Sequence, residues 1–216
     1  MLDYDSIPHI HEIQALHGRF QDPGPKTRTD TFVERMHSHN KIRPSLEDAI
    51  ERSGLRDGMT ISFHHHFRNG DHVVNMVVDT LARMGFKNLT LAASSLASVH
   101  APLIQHIKNG VITHIETSGM RGELAEAVSR GLMDFPVVFR SHGGRAAAVR
   151  SHELPIDVAF LGASSCDPYG NANGYKREGE GDHSRCGSLG YARPDCRHAR
   201  HKIIITDSIV PFPNAP

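Results

Sequence analysis

No run of 18 apolar residues occurs in the 216-residue sequence, so no segment reads as a bilayer-spanning helix. A charge surplus is also missing. Lysine plus arginine is 24 and aspartate plus glutamate is 24, a formal balance of zero. A chain whose main task is to grip nucleic-acid phosphates or an anionic membrane needs a basic excess, so neither partner is expected. The first 20 residues lack a basic start followed by an apolar stretch, and no secretory signal is read. Cysteine is scarce. Cys166, Cys186 and Cys196 are odd in number and far apart, which fits free thiols in a reducing cytoplasm better than a disulfide framework. There is no GxGxxG fingerprint, and no HxxxH or CxxC spacing to suggest a metal site.

What is present is enough apolar residue, 38%, for one buried core, with too little net charge for disorder. Histidine is abundant, 17 of 216, so net charge climbs as pH falls below about 6.5. Residues 1–44 hold the cluster Asp22-Pro23-Gly24-Pro25 without a sustained apolar period and read as an arm, partly irregular. From Ser45 onward the pattern is regular. Ser45-Leu46-Glu47-Asp48 is an N-cap followed by an acidic first turn, and Gly54 is a stop. Strands are expected at 59–63, 88–92, 111–115, 136–139, 156–161 and 203–206, with helices at 73–84, 101–108, 122–130 and 145–152. Six strands alternating with helices make a mainly parallel sheet covered on both faces, a three-layer α/β/α fold over 45–216.

In such sheets ligands sit beyond the carboxyl ends of the strands, so the loops there hold the candidates. After Phe63 comes His64-His65-His66-Phe67-Arg68-Asn69-Gly70-Asp71. Three adjacent histidines leave a strand pointing to alternate sides, so they do not converge on one ion, and no metal is expected. Arg68, with Gly70 ahead of the next helix, could meet an anion. Ser94-Ser95-Leu96-Ala97-Ser98 suits ligand hydroxyl contacts or helix capping. Thr117-Ser118-Gly119-Met120-Arg121-Gly122 and Ser141-His142-Gly143-Gly144-Arg145 each join glycines to an arginine at a helix start. The loop from Gly162 to Gly174 includes Cys166, Asp167, Asn171 and Asn173 and is rich in residues that accept left-handed backbone. The basic stretch from Lys176 to Lys202 reads as a solvated polar face.

Together these loops resemble the alpha subunits of bacterial citrate lyase, a family in the CoA-transferase superfamily. The resemblance rests on Ser62 through Asp71, Gly85 through Ala92, Ser94-Ser95-Leu96, His100-Ala101-Pro102-Leu103, Thr117-Ser118-Gly119 with Arg121-Gly122, and Ser141 through Arg145. It continues through Asp157–Gly162, Asp167–Gly174 and Cys186–Ala192. It implies an open sheet of the CoA-transferase type. It also implies that this chain corresponds to the first of two related α/β/α halves, and that no residue here inherits the glutamate that attacks thioesters in covalent CoA-transferases.

The implied activity moves the phosphoribosyl-dephospho-CoA arm of an acyl carrier protein from acetyl to citrate, with no tightly bound cofactor. The implied partners are the beta and gamma (acyl carrier) subunits, the missing C-terminal half and citrate, in an oligomer. Arg68, Arg121 and Arg145 become candidates for carboxylate or phosphate contacts. Gly70, Gly143 and Gly144 become candidate oxyanion turns, and Asn171 and Asn173 candidate walls of the pocket. Two other readings stand beside this one. One is a binding module that recognises an acyl-CoA or carrier arm without turnover. The other is a sugar-phosphate isomerase, with His142 or Asp167 as general base.

Overall fold

Ser45 opens the first helix as its sequence dictates: its hydroxyl accepts the amide of Asp48 at 3.1 Å, and Gly54 closes the helix in the left-handed region at φ 69°. The computed structural model of the chain describes residues 41–64, 72–174 and 192–212. The expected arm falls almost wholly outside that range, as do Arg68, Gly70, His65 and His66. In chain order the elements are α1 (Leu46–Ser53), β1 (Thr60–His64), α2 (Val73–Arg83), β2 (Leu89–Ala93), a 3₁₀ turn (Ser98–His100), α3 (Leu103–Lys108), β3 (Ile112–Thr117), α4 (Gly122–Ser129), β4 (Val138–Phe139), α5 (His142–Arg150), β5 (Val158–Gly162), β6 (Ser165–Cys166), β7 (Ala172–Asn173), α6 (Ala192–His198) and β8 (His201–Ile205).

The main sheet has six strands in the order β4-β3-β2-β1-β5-β8, and every neighbouring pair is parallel. This is the expected sheet. Its two faces differ in side-chain size. Ile61, Phe63, Leu89, Leu91, Val158 and Phe160 point to one face, where they pack with Ile50, Val74, Val77, Leu103 and Leu124 of α1–α4. The Phe63 and Phe160 rings stack at 5.3 Å across the β1–β5 pair. The other face presents Ser62, Ala92 and Ala159, and α5 and α6 lie over it. Each large buried side chain on the first face contributes about 1.5–3 kcal/mol. The second face has a smaller apolar cluster, with Val149, Leu154, Ile156 and Leu161 beside the alanines, and it also holds an ion pair.

Three features depart from the sequence reading. The helix expected at 145–152 begins three residues earlier, because the Ser141 hydroxyl caps it by accepting the Gly144 amide at 3.0 Å. Gly143 and Gly144 therefore lie in the first turn of α5, not in a turn ahead of it. The polar stretch before β8 contains α6, and a short antiparallel hairpin, β6–β7, follows β5.

Candidate functional site

Because all six strands run the same way, their carboxyl ends share one edge of the sheet. Backbone hydrogen bonds continue past the strand ends and bind the loops into a rim. Ser94 N donates to Phe63 O at 3.2 Å, Ser118 N to Ser94 O at 3.2 Å, Leu96 N to Gly119 O at 2.8 Å, Arg121 N to Leu96 O at 2.9 Å and Arg140 N to Thr117 O at 3.0 Å. The chain winds outward from β1 to β4 on one side and returns to place β5 on the other side of β1. The β1–β5 seam is thus the topological switch point, the position at which sheets of this kind receive ligands. Residues 65–71, which follow β1 in sequence, lie outside the described residues.

Arg121 stands at the start of α4, exposed, and its guanidinium has no partner among the described residues. The next residue fixes its place. Gly122 sits at φ 69°, and a Cβ there would come 2.6 Å from Ser98 Oγ and 2.9 Å from Ser98 Cα, so only glycine lets the helix start approach the neighbouring loop so closely. Gly143 is exposed with open space above it, whereas the Gly144 amide is already held by Ser141. Gly144 is therefore corrected from an oxyanion donor to part of a helix cap.

Arg145 is corrected more fully. It is 4% exposed, and its two terminal nitrogens donate to Oδ1 and Oδ2 of Asp195 at 2.7 Å each, with a third bond to Ala92 O at 3.2 Å. Asp195 is fully buried and also accepts the Ser62 hydroxyl at 2.9 Å. The guanidinium is committed inside the fold and cannot reach a substrate at the rim. Periodicity missed this because the buried residues of α6 are Ala192 and Asp195, with Ala199 just past its end, a pattern without an apolar stripe.

Asn171 and Asn173 belong to the hairpin after β5. Asp167, 2% exposed, organises it: Oδ1 accepts the amides of Tyr169 (2.9 Å) and Asn171 (3.1 Å), and Oδ2 accepts Asn171 Nδ2 at 2.8 Å. That employment leaves Asp167 no position as a general base. Asn173 Oδ1 accepts the Ser165 hydroxyl at 3.2 Å. Cys166 is buried, and that burial, followed by the negative charge of Asp167, pushes its thiol up. It is a structural thiol and a poor nucleophile. Among the described residues no three His, Cys, Asp or Glu side chains gather in a metal-binding group.

The candidates therefore share one edge without meeting at a point. Arg121 lies beyond β3 and the asparagine hairpin beyond β5, three strand spacings or about 14 Å apart, and Arg68 and Gly70 lie outside the described residues. A separate cavity of about 530 Å³ lies along the edge of β8, between Leu46 of α1, Ile203–Ile205 and Gly170; Asp167 lines it, but Arg121, Gly143, Gly144, Arg145, Asn171 and Asn173 do not.

Residues 39–216 match the family described as citrate lyase, alpha subunit. The chain belongs to that family. It is 60% identical over 176 residues to the citrate lyase alpha chain of Klebsiella pneumoniae, covering 82% of this chain and 34% of that protein. A crystal structure described as the alpha subunit of citrate lyase from Streptococcus mutans, in complex with citrate, is similar at 49% identity. It has a TM-score of 0.78 and covers 92% of this chain and 36% of that one. A Pseudomonas malonate decarboxylase hetero-tetramer, 15% identical with a TM-score of 0.58 over 85% of this chain and 34% of that chain, shares the fold. The chain thus spans about a third of the length of the citrate lyase alpha subunits it matches. No helix among the described residues is long and apolar enough to cross a membrane.

Proposed function

We propose that this chain supplies the first part of a citrate CoA-transferase, the alpha component of a citrate lyase. The observation that carries the proposal is the likeness, over 92% of this chain, to a relative solved with citrate. In the exchange the thiol arm of an acyl carrier protein leaves acetyl and takes up citryl: one carboxylate, citrate, is consumed and one, acetate, is released, with no net proton or electron change. The attacking glutamate comes from the portion of the relatives' length beyond this chain. The beta and gamma subunits complete a cytoplasmic assembly in which citryl is then cleaved.

Within this reading the β1–β5 seam receives the thioester. Arg121 offers a guanidinium whose planar fork suits a carboxylate or phosphate, and Arg68 does so from the β1 loop. The amide of Gly143, in the first turn of α5 and at its positive dipole end, serves in this reading to stabilise an oxyanion as a carboxylate adds to the thioester. Gly70 serves the same purpose from the β1 loop. Asn171 and Asn173 shape the wall through the hairpin that Asp167 holds.

The test is direct. Acetylated carrier protein and citrate are incubated with this chain alone, with the remaining length of a citrate lyase alpha subunit alone, and with both. Citryl-carrier formed only in the mixture, by mass spectrometry of the intact carrier, is the expected result. Carrier that stays acetylated in a mixture shown to assemble overturns the reading. Thermal stabilisation by CoA under those conditions would instead favour the non-catalytic binding module.

A further inference from the structure

We infer that the groove between α5 and α6 is a second anion site, sharing Gly143 with the β1–β5 site but holding its own arginines, and built to take a multiply charged oxyanion, a phosphate or a polycarboxylate. The groove encloses about 330 Å³ on the outer side of the α5–α6 layer. Its floor is small, with Gly143, Ala146, Ala147 and Pro194, and Arg150, Arg193, Arg197 and His198 complete a lining that has no carboxylate among the described residues.

Six of the described arginines, Arg52, Arg83, Arg130, Arg140, Arg145 and Arg200, pair with an aspartate or glutamate. Arg43, Arg56 and Arg121 lack such a partner among the described residues singly, at separate places on the chain. Arg150, Arg193 and Arg197 are exposed and have no such partner among the described residues. The acid within reach along α6, Asp195, is turned inward and consumed by Arg145.

Local physics argues against leaving these charges together without a ligand. Arg193 and Arg197 are four apart on one helix, where like charges repel, and Arg193 lies in the first turn, where a positive charge opposes the helix dipole. Arg150 closes the groove from the last turn of α5. A solvated face would tolerate each of these arginines alone. Three around one small-residue depression in a chain of zero formal charge are a local rule broken, and such breaks mark binding sites. Guanidinium groups match planar carboxylate and tetrahedral phosphate oxygens through paired N–H bonds, and a multivalent anion can engage two or three of them at once.

The inference is independent of the transferase reading, because its test reads binding and not exchange. The full 216-residue chain is titrated calorimetrically at low salt with pyrophosphate, citrate and acetate, and the R193Q/R197Q variant is titrated in parallel. One saturable site is expected, at least tenfold tighter for pyrophosphate or citrate than for acetate and weakened by added salt. The double variant should lose at least tenfold in affinity with an unchanged thermal melt. Whichever of pyrophosphate and citrate binds tighter assigns the site to phosphate or to polycarboxylate. Absence of a saturable site, or equal affinity in wild type and variant, overturns the inference. If the double variant does not fold, R150Q on the facing helix is read by the same titration and the same criteria.

Discussion

Asp195 holds Arg145 through both of its carboxylate oxygens at 2.7 Å, 50 residues apart in sequence and sealed from solvent. The pair fastens α5 to α6, and through Ser62 it fastens α6 to the centre of the sheet. Burying two charges is costly, and their attraction with added hydrogen bonds offsets the cost only while both are present. Replacing Arg145 by Gln leaves Asp195 charged and buried and should destabilise the chain by about 3–5 kcal/mol. Denaturant melts of R145Q, D195N and the double variant should show strong non-additivity. Independent, additive losses would mean that the pair is not the fastening described.

Gly122 and Gly143 should respond oppositely to alanine. At Gly122 a methyl group must enter Ser98 on a left-handed backbone, so G122A should cost roughly 2–4 kcal/mol. At Gly143 it meets nothing within 4 Å inside a helix, so G143A should gain about 0.5–1 kcal/mol. Alanine leaves the Gly143 N–H in place, so that amide is tested by G143P, which removes it in the first turn of a helix, where proline is tolerated. If the amide serves the thioester, G143P should slow acetyl-to-citryl exchange roughly 100-fold in the reconstituted enzyme. A folded G143P that exchanges at the wild-type rate removes Gly143 from the site.

Cys166 gives a pH dependence of definite sign. Its folded thiol is raised above the ordinary value of 9.0 by burial first and by Asp167 second, against weaker opposing pulls from the Gly170 backbone and Lys41. The folded state therefore keeps its proton longer than the unfolded state. This contribution to stability is complete below pH 9.0 and is lost as pH rises through the folded value. Melting curves of wild type and C166A should converge as pH passes above 9.0. Iodoacetamide at neutral pH should label Cys196, which is exposed, before Cys166.

Two apolar patches bear on assembly. Phe135, Val138 and Phe139 stand out near the β4 edge at 51%, 39% and 59% exposure, and Ile42, Met76 and Ile209 surround the cavity beside β8. Patches of this kind mark surfaces that another polypeptide covers. The chain alone should self-associate with rising concentration in analytical ultracentrifugation, and I209E or F139E should reduce that association while changing stability by no more than about 0.5 kcal/mol. A clean monomer at high concentration would contradict the expectation.

The first face of the fold was legible because its signal is apolar and periodic. Val74, Val77, Val78 and Leu81 mark α2, and alternating strand residues mark the sheet. The second face was less so: beside Val149, Leu154, Ile156 and Leu161 it is built from alanines, a serine and an ion pair. An aspartate at an inward helical position looks like surface until its partner is known. For the same reason Arg145 read as a ligand group: a glycine-glycine-arginine run at a helix start is identical in sequence whether the side chain turns outward or inward. The asparagine-rich loop was correctly read as tightly wound, yet nothing in its composition says that one carboxylate, Asp167, gathers its amides.

The seam between β1 and β5 joins Ile61 to Val158 and Phe63 to Phe160, so the middle of the sheet is closed by segments almost a hundred residues apart. Such a loop is entropically slow to close and leaves no early stopping point. A nascent chain ended anywhere before β5 would lack the central seam rather than an edge, leaving β1 with an open flank and its apolar side chains half covered. The central seam therefore closes only after the last third of this sequence has begun to leave the ribosome.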